Sequence, residues 1–335
     1  MKLKNDVSMF FIPRFDLCDV IDGAPRCPHP AFVVDGKVID GIYVSKYQNV
    51  IADGRAYSLK GEDPAVCVDF DSAVEVCKAR GDGYHLMTAM EWGAVALLCL
   101  KNGYLPYGNN DMGRDYRESE TVACISYLDE EKGICRVASG SGPVSWSHNG
   151  RADGIYDLNG NIWEWSGGYR LVFGEVQVLP DNNAANADYS QAENSSDWRA
   201  IDADTGEYII PQGDGKTENS VRLDYIDGVF VYVKGDISSP YAKPRFCDFN
   251  LVYATDEVCD KAKLILMSLG ILPSSASSLC NGVSLYAING KSETMMFRGG
   301  RFGQRENAGV FKNCMDDPRT ASLDVIGFRS AYYKK

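Results

Sequence analysis

The sequence predicts a mixed α+β domain, irregular and rich in turns, on three observations. Two stretches, Phe70 to Arg80 and Thr88 to Gly103, carry apolar residues at helical spacing. Short apolar or alternating runs such as Ile42–Val44 and Ile162-Trp163-Glu164-Trp165 have the length and residue types of strands. The chain also holds 33 glycines with five Trp and nineteen Tyr, a mixture that suits many turns around an aromatic core.

In chain order, residues 1–30 hold two Pro-flanked segments around Cys18 and Cys27 and read as an extended N-terminal arm. Residues 31–47 read as a hairpin, with Ala31–Val34 and Ile42–Val44 as strands and Asp35-Gly36 as the turn. The first helix places Phe70, Ala73, Val74 and Cys77 on one face, with Asp69 or Asp71 as N-cap and Gly81 as the stop. The second opens on a capping box, in which Thr88 accepts from the backbone and Glu91 reaches back. Residues 103–150 are turn-rich, and Asn159-Gly160 is a turn leading into the strand-like Ile162–Trp165. Residues 180–220, polar and rich in Asn and Asp, read as a surface excursion. Thr255 to Gly270 is a third helix candidate, ended by Gly270 and Pro273. There is no internal repeat and no low-complexity linker, so the 335 residues read as a single elaborated domain over 31–335. A long insert at about 170–295 interrupts it.

Composition bounds function. A net charge of −12 with no basic run argues against nucleic acid, whose phosphates reward clustered Lys and Arg. Eleven cysteines with no CxxC spacing, several of them in apolar helical contexts, read as reduced core residues folded in a reducing compartment. Lys2 and Lys4 precede an apolar run, Val7 to Ile12, that is too short for a signal peptide and is broken by Pro13 and Arg14. No segment approaches the roughly twenty apolar residues of a membrane span.

The last forty residues differ in kind. Phe297-Arg298-Gly299-Gly300 and Ile326-Gly327-Phe328-Arg329-Ser330-Ala331 alternate as half-buried strands do, and between them lies a stretch with no period. A rigid frame holding a compositionally arbitrary loop is how binding surfaces are built.

Three separated segments together resemble one family. Tyr84 to Trp92, YHLMTAMEW, is similar to the "RLPTEAEWE" helix start of formylglycine-generating-enzyme (sulfatase-modifying-factor) domains. Gly154 to Trp165, GIYDLNGNIWEW, resembles their "GLYDMxGNVWEW" motif and is the most specific of the three. Arg298-Gly299-Gly300 with Ile326–Arg329 resembles their "RGGSW…IGFR" ending. The resemblance implies a C-type-lectin-like fold, irregular α+β, with two main helices beside small antiparallel sheets.

Within that family the tail is similar to variable proteins of diversity-generating retroelements, which include phage receptor-binding and bacterial surface proteins. Asn307-Ala308-Gly309-Val310-Phe311, Pro318-Arg319 and Ile326–Arg329 keep the frame of their tails, over a variable region at about 298–331. Those systems mutate template adenines, usually in Asn codons. Arg301, Gly303, Asp316, Asp317, Ala321, Leu323, Asp324 and Val325 are residues that such codons can reach; Gln304, Glu306 and Lys312 are not. The resemblance therefore implies a non-catalytic, diversified surface. Its ligand-binding residues would be Arg301, Phe302, Gly303, Gln304, Arg305, Cys314, Met315, Asp316, Asp317, Ala321, Leu323, Asp324 and Val325. The partner would be a protein or glycan on a cell surface. The protein would sit on a phage tail or a bacterial surface, fold in the cytoplasm, and be open to oligomerisation.

The alternatives are chemical. Active formylglycine-generating enzymes carry two cysteines shortly after the RGG motif, which bind copper and activate oxygen; Arg301 to Gly309 contains none, and Cys314 stands out of register. An iron-dependent sulfoxide synthase would need a histidine-rich facial site, and only His29, His85 and His148 exist, widely spaced. His85 reads more simply as a residue orienting the helix entry. No organic cofactor is expected. A structural Ca²⁺ has a candidate ligand set in Asp157, Glu164 and the carbonyls of Gly160 and Ile162, hard oxygens from one short loop, and family members bind Ca²⁺ at matching positions. The other reading of the same residues is that Asp157 caps the turn and Glu164 pairs with an arginine. A calcium-dependent lectin would also need a sugar-binding EPN or QPD motif, which is absent.

Overall fold

A computed structural model describes residues 8–120 and 122–335; Lys2, Lys4 and Val7 of the expected arm lie outside the described residues. Its helices form where the apolar period and caps place them. Phe70–Lys78 starts on Asp69, whose carboxylate accepts from the Ser72 amide at 2.7 Å. Ala89–Lys101 starts on the full capping box, with Thr88 Oγ1 accepting from the Glu91 amide and Glu91 Oε2 from the Thr88 amide, both at 3.0 Å. The third candidate is shorter than its pattern, Asp260–Ser268.

Two sheets carry the fold. The first has four strands, in the order Met9–Pro13, Gly41–Ser45, Ser330–Tyr332 and Tyr84–Leu86. It joins the chain's two ends. The expected hairpin is therefore only half right. Val33–Val34 and Lys37–Val38 do turn on Asp35-Gly36, but Ile42–Val44 pairs with Met9–Pro13 and with Ser330–Tyr332. Part of the expected arm is thus a sheet strand, because its alternating apolar residues have a distant edge to complete.

The second sheet has twelve strands and is larger than the small sheets expected. Its centre is Trp163–Val172, antiparallel to Thr294–Gly299 and parallel to Ile326–Phe328. The insert extends it on both sides. Glu175–Val178, Val221–Ile226 and Val229–Lys234 run outward from one side, and Ser284–Ala287 and Arg245–Asp248 lie beyond Gly309–Met315 on the other. The Ala89–Lys101 and Asp260–Ser268 helices pack on the sheet, and Gly93 lets them approach, since a Cβ there would lie 2.0 Å from the Ser268 carbonyl oxygen.

The Asn-rich stretch is not a simple excursion. Asn182, Asn183 and Asn186 are buried. Asn182 donates to the Ala31 carbonyl and to Glu91 Oε1, each at 3.0 Å, and accepts from Thr88 Oγ1 at 2.7 Å. Its polarity answers buried backbone and capping groups. His85 belongs to the same knot, with Nε2 at 2.9 Å from Glu91 Oε1 and Nδ1 at 2.9 Å from the Gly83 carbonyl.

Candidate ligand-binding site

The tail frames a cleft on the large sheet. Thr294–Gly299 and Gly309–Met315 pair antiparallel, with Phe297 opposite Cys314 and Arg298 opposite Asn313. Strand alternation then sends Lys312 and Cys314 to one face, and Asn313 and Met315 to the other. On the first face Tyr286 sits beside Cys314 in register, Cys314 beside Phe297, and Phe297 beside Trp165.

The cleft has a volume of about 290 Å³. Seven residues expected from the tail line it: Arg301, Gln304, Cys314, Asp316, Asp317, Leu323 and Val325. Trp163, Tyr286, Phe297 and Ile326 complete the lining. The remaining expectations divide. Gly303 and Arg305 are exposed, and Ala321 and Asp324 half-buried, but they do not line the cleft. Phe302 and Met315, expected at the surface, are fully buried. Met315 lies on the core side of its strand, among the apolar residues beneath the sheet, and the Phe302 amide donates to the Asn161 carbonyl at 3.2 Å. Both act as frame.

The loops around the cleft are pinned by polar groups. Burial would push the Glu293 carboxyl up, but hydrogen bonds and charge from Arg319 and Arg170 hold it below its usual range. Arg319 meets both Glu293 oxygens at 2.7 and 2.8 Å and reaches Asp71 Oδ1 at 2.7 Å. The 316–325 loop is thereby tied to the first long helix. On the other loop, Gly300 has φ +85°, and a Cβ there would lie 2.8 Å from that of Ala308, so the turn after Arg298 needs glycine. Arg305 is held by Asp111 at 3.0 Å.

Arg298 is fully buried, and burial pushes its guanidinium down to about 9. Its Nη1 donates to the Leu269 carbonyl at 3.0 Å. That position places a cation at the negative end of the Asp260–Ser268 helix.

Lys312 and the cleft residue Cys314, on one face of their strand, form an unusual pair. Lys312 is fully buried, hydrogen-bonded to Ser284 Oγ and 3.8 Å from the Tyr286 ring centre, and burial pushes its amine down to about 7. Cys314 Sγ lies 3.0 Å from Asp316 Oδ1, and burial with that carboxylate pushes its thiol well up. A thiol held protonated is a poor nucleophile.

The four candidate calcium ligands form one buried knot. Arg329 donates from Nε to Glu164 Oε2 and from Nη2 to Glu164 Oε1, both at 2.8 Å. Gln48 Nε2 donates to Glu164 Oε1 at 3.0 Å and to the Ile162 carbonyl at 3.3 Å. The Gly160 amide donates to the Gly299 carbonyl at 3.0 Å. Asp157 Oδ2 accepts from the Gly140 amide at 2.7 Å, while its Oδ1 is buried with no partner among the described residues. Burial pushes the Asp157 carboxyl up to about 6. As arranged, these residues do not fit a calcium ion at Glu164, whose charge is already met by a guanidinium. They fit the turn-cap and arginine-pair reading. Among the described residues, no three His, Cys, Asp or Glu side chains converge on a metal position. All eleven cysteines are free, and His29, pushed down to about 3 by burial, and His148, pushed down to about 4 by the same cause, are buried apart.

The family model of the sulfatase-modifying factor enzyme 1-like domain matches residues 35–179, from the first hairpin through the capping box and the Gly154–Trp165 motif. The chain's α+β, C-type-lectin-like fold agrees with that match, and residues 180–335, the tail included, lie beyond the matched residues. No curated protein matches the chain. Among solved structures, PvdO from Pseudomonas aeruginosa aligns over 97% of this chain and 91% of its own at 15% identity and a TM-score of 0.34. Treponema denticola variable protein 1 aligns over 97% and 95% at 11% identity and the same TM-score.

Sequence reasoning missed Tyr286 and Phe297 as cleft residues. The alternation of Ser284-Leu285-Tyr286-Ala287 was the available signal, obscured by its place inside the insert. No helix among the described residues is long and apolar enough to cross a membrane.

Proposed function

We propose that this protein is a non-catalytic binding protein of the diversity-generating type, presenting the tail cleft as a variable ligand surface on a phage tail or a bacterial cell. One observation carries the reading: seven tail positions chosen from the sequence line a single cleft, while the residues between them form buried strands and pinned turns. Substitution at the cleft is thereby separated from the packing that holds the fold. The ligand is a macromolecule on a cell surface.

The absence of a Cys between Arg301 and Gly309 removes the thiol pair that oxidase chemistry in this family would need. Cys314 offers no substitute, since its thiol is buried against Asp316.

The test is a displayed library with Arg301, Gln304, Asp316, Asp317, Leu323 and Val325 randomised together. The reading expects most members to fold and selected members to bind unrelated proteins. It fails if most members unfold, or if the native chain turns over thiols or forms sulfoxides with copper or iron.

A further inference from the structure

At about 290 Å³ the cleft sits at the bottom of the roughly 300–1,000 Å³ range of small-molecule sites. It has room for one long side chain. Its neighbourhood is built for an interface: Phe246, from the insert, stacks on Tyr286 with ring centres 5.2 Å apart and is 58% exposed. An exposed aromatic continuous with a pocket marks protein contact surfaces more than solute sites.

The charge in the cleft is unbalanced. Asp317 is half-buried, and among the described residues its carboxylate has no hydrogen-bond or ion-pair partner. Burial and the neighbouring Asp316 push it up more than the charge of Lys291 pulls it down, so its counter-charge is incomplete. The nearby cations are engaged elsewhere. Lys291 donates to the Asp316 carbonyl at 2.7 Å, Arg301 donates to the Phe302 carbonyl at 3.2 Å, and Lys312 is bound to Ser284, with its amine 3.8 Å from the Tyr286 ring centre and 5.6 Å from that of Trp163, which leaves the other ring faces to a ligand. An unpaired carboxylate beside Trp and Tyr rings is complementary to an ammonium or guanidinium, which takes the charge and the ring faces together. A chain of net charge −12 also steers basic partners toward it.

We propose that the cleft is a socket for one lysine or arginine side chain of a protein ligand, with Asp317 as its counter-charge, Trp163 and Tyr286 as its walls, and Phe246 packing beside it. The proposal rests on the binding reading above and names the ligand class for this version of the tail.

The full chain, labelled for observation of the Trp163 indole, is titrated with the N-acetyl methylamides of arginine, lysine, glutamine and glutamate. The arginine and lysine derivatives are expected to shift the indole saturably in the millimolar range, with glutamine and glutamate silent. Asp317→Asn should weaken the arginine derivative about tenfold with an unchanged Tm, and Tyr286→Leu should weaken it as well. Equal shifts from glutamine, or undiminished binding in Asp317→Asn, would overturn the socket. If glutamate alone shifts the indole, the ligand class is wrong and the cleft still binds. If all four are silent, the socket is overturned and the randomised library decides the binding reading independently.

Discussion

Glu164 and Arg329 form a fully buried, two-bond ion pair, both contacts at 2.8 Å, between the Trp-Glu-Trp strand and the C-terminal Gly-Phe-Arg segment. Arg329 also donates to the Ser45 and Tyr156 carbonyls at 2.8 Å, so one guanidinium joins both sheets and the turn before the central strand. Arg329→Met should destabilise the protein by about 3–5 kcal/mol, because it leaves Glu164 charged and buried without its partner. Replacing both residues together, Glu164→Gln with Arg329→Met, should cost less than the single change. Denaturant unfolding of the three variants measures this.

Asp157 predicts a pH effect of definite sign. Its carboxyl is pushed from 3.8 up to about 6 by burial. Between those values the folded protein holds a proton that the unfolded chain releases, so stability is lost as pH rises from about 4 to about 6. Asp157→Asn mimics the protonated form, and its φ of +61° suits Asn. The variant should match wild type near pH 4 and exceed it by up to about 3 kcal/mol above pH 6. Thermal unfolding across that window, in calcium and in chelator, checks it. A wild-type Tm that falls in chelator would instead place a calcium ion at Asp157.

Much of this frame was legible in the sequence, and the boundary has a physical cause. Caps and helix faces act within a few residues, so Asp69, Thr88 and Glu91 announced their helices. Strand partners are set by distant edges. Ile42–Val44 showed its apolar character but not that Met9–Pro13 and Ser330–Tyr332 would flank it. The same limit hid the cleft floor, since Tyr286, Cys314 and Phe297 meet only through the pairing of three strands. Phe302 and Met315 look like interface anchors by residue type, and burial by register was invisible until the strands were placed. Asn182 looked like loop composition, yet it satisfies the buried cap of another element.

Arg319 anchors the loop that carries Asp316, Asp317, Leu323 and Val325. Arg319→Ala should lower stability by about 3 kcal/mol, since Glu293 retains only Arg170. It should also blunt ligand binding, because the loop loses its tie to Asp71. Proteolysis within 316–325, compared with wild type, reports the loosening directly.

Cleft and frame should respond oppositely to substitution. Ala at Arg301, Asp316, Leu323 or Val325 should change stability by less than about 1 kcal/mol. Phe302→Ala, in the same loop but fully buried, should cost about 3–5 kcal/mol. Comparable losses at both sets would contradict the division of the tail into surface and scaffold.

The most direct measurement is the DNA sequence flanking the gene. The account predicts a second copy of the codons for residues 298–331, differing from the first only at adenines and concentrated at Arg301, Asp316, Asp317, Leu323 and Val325, beside a reverse transcriptase gene. Flanking DNA with no such copy would contradict diversification of this tail.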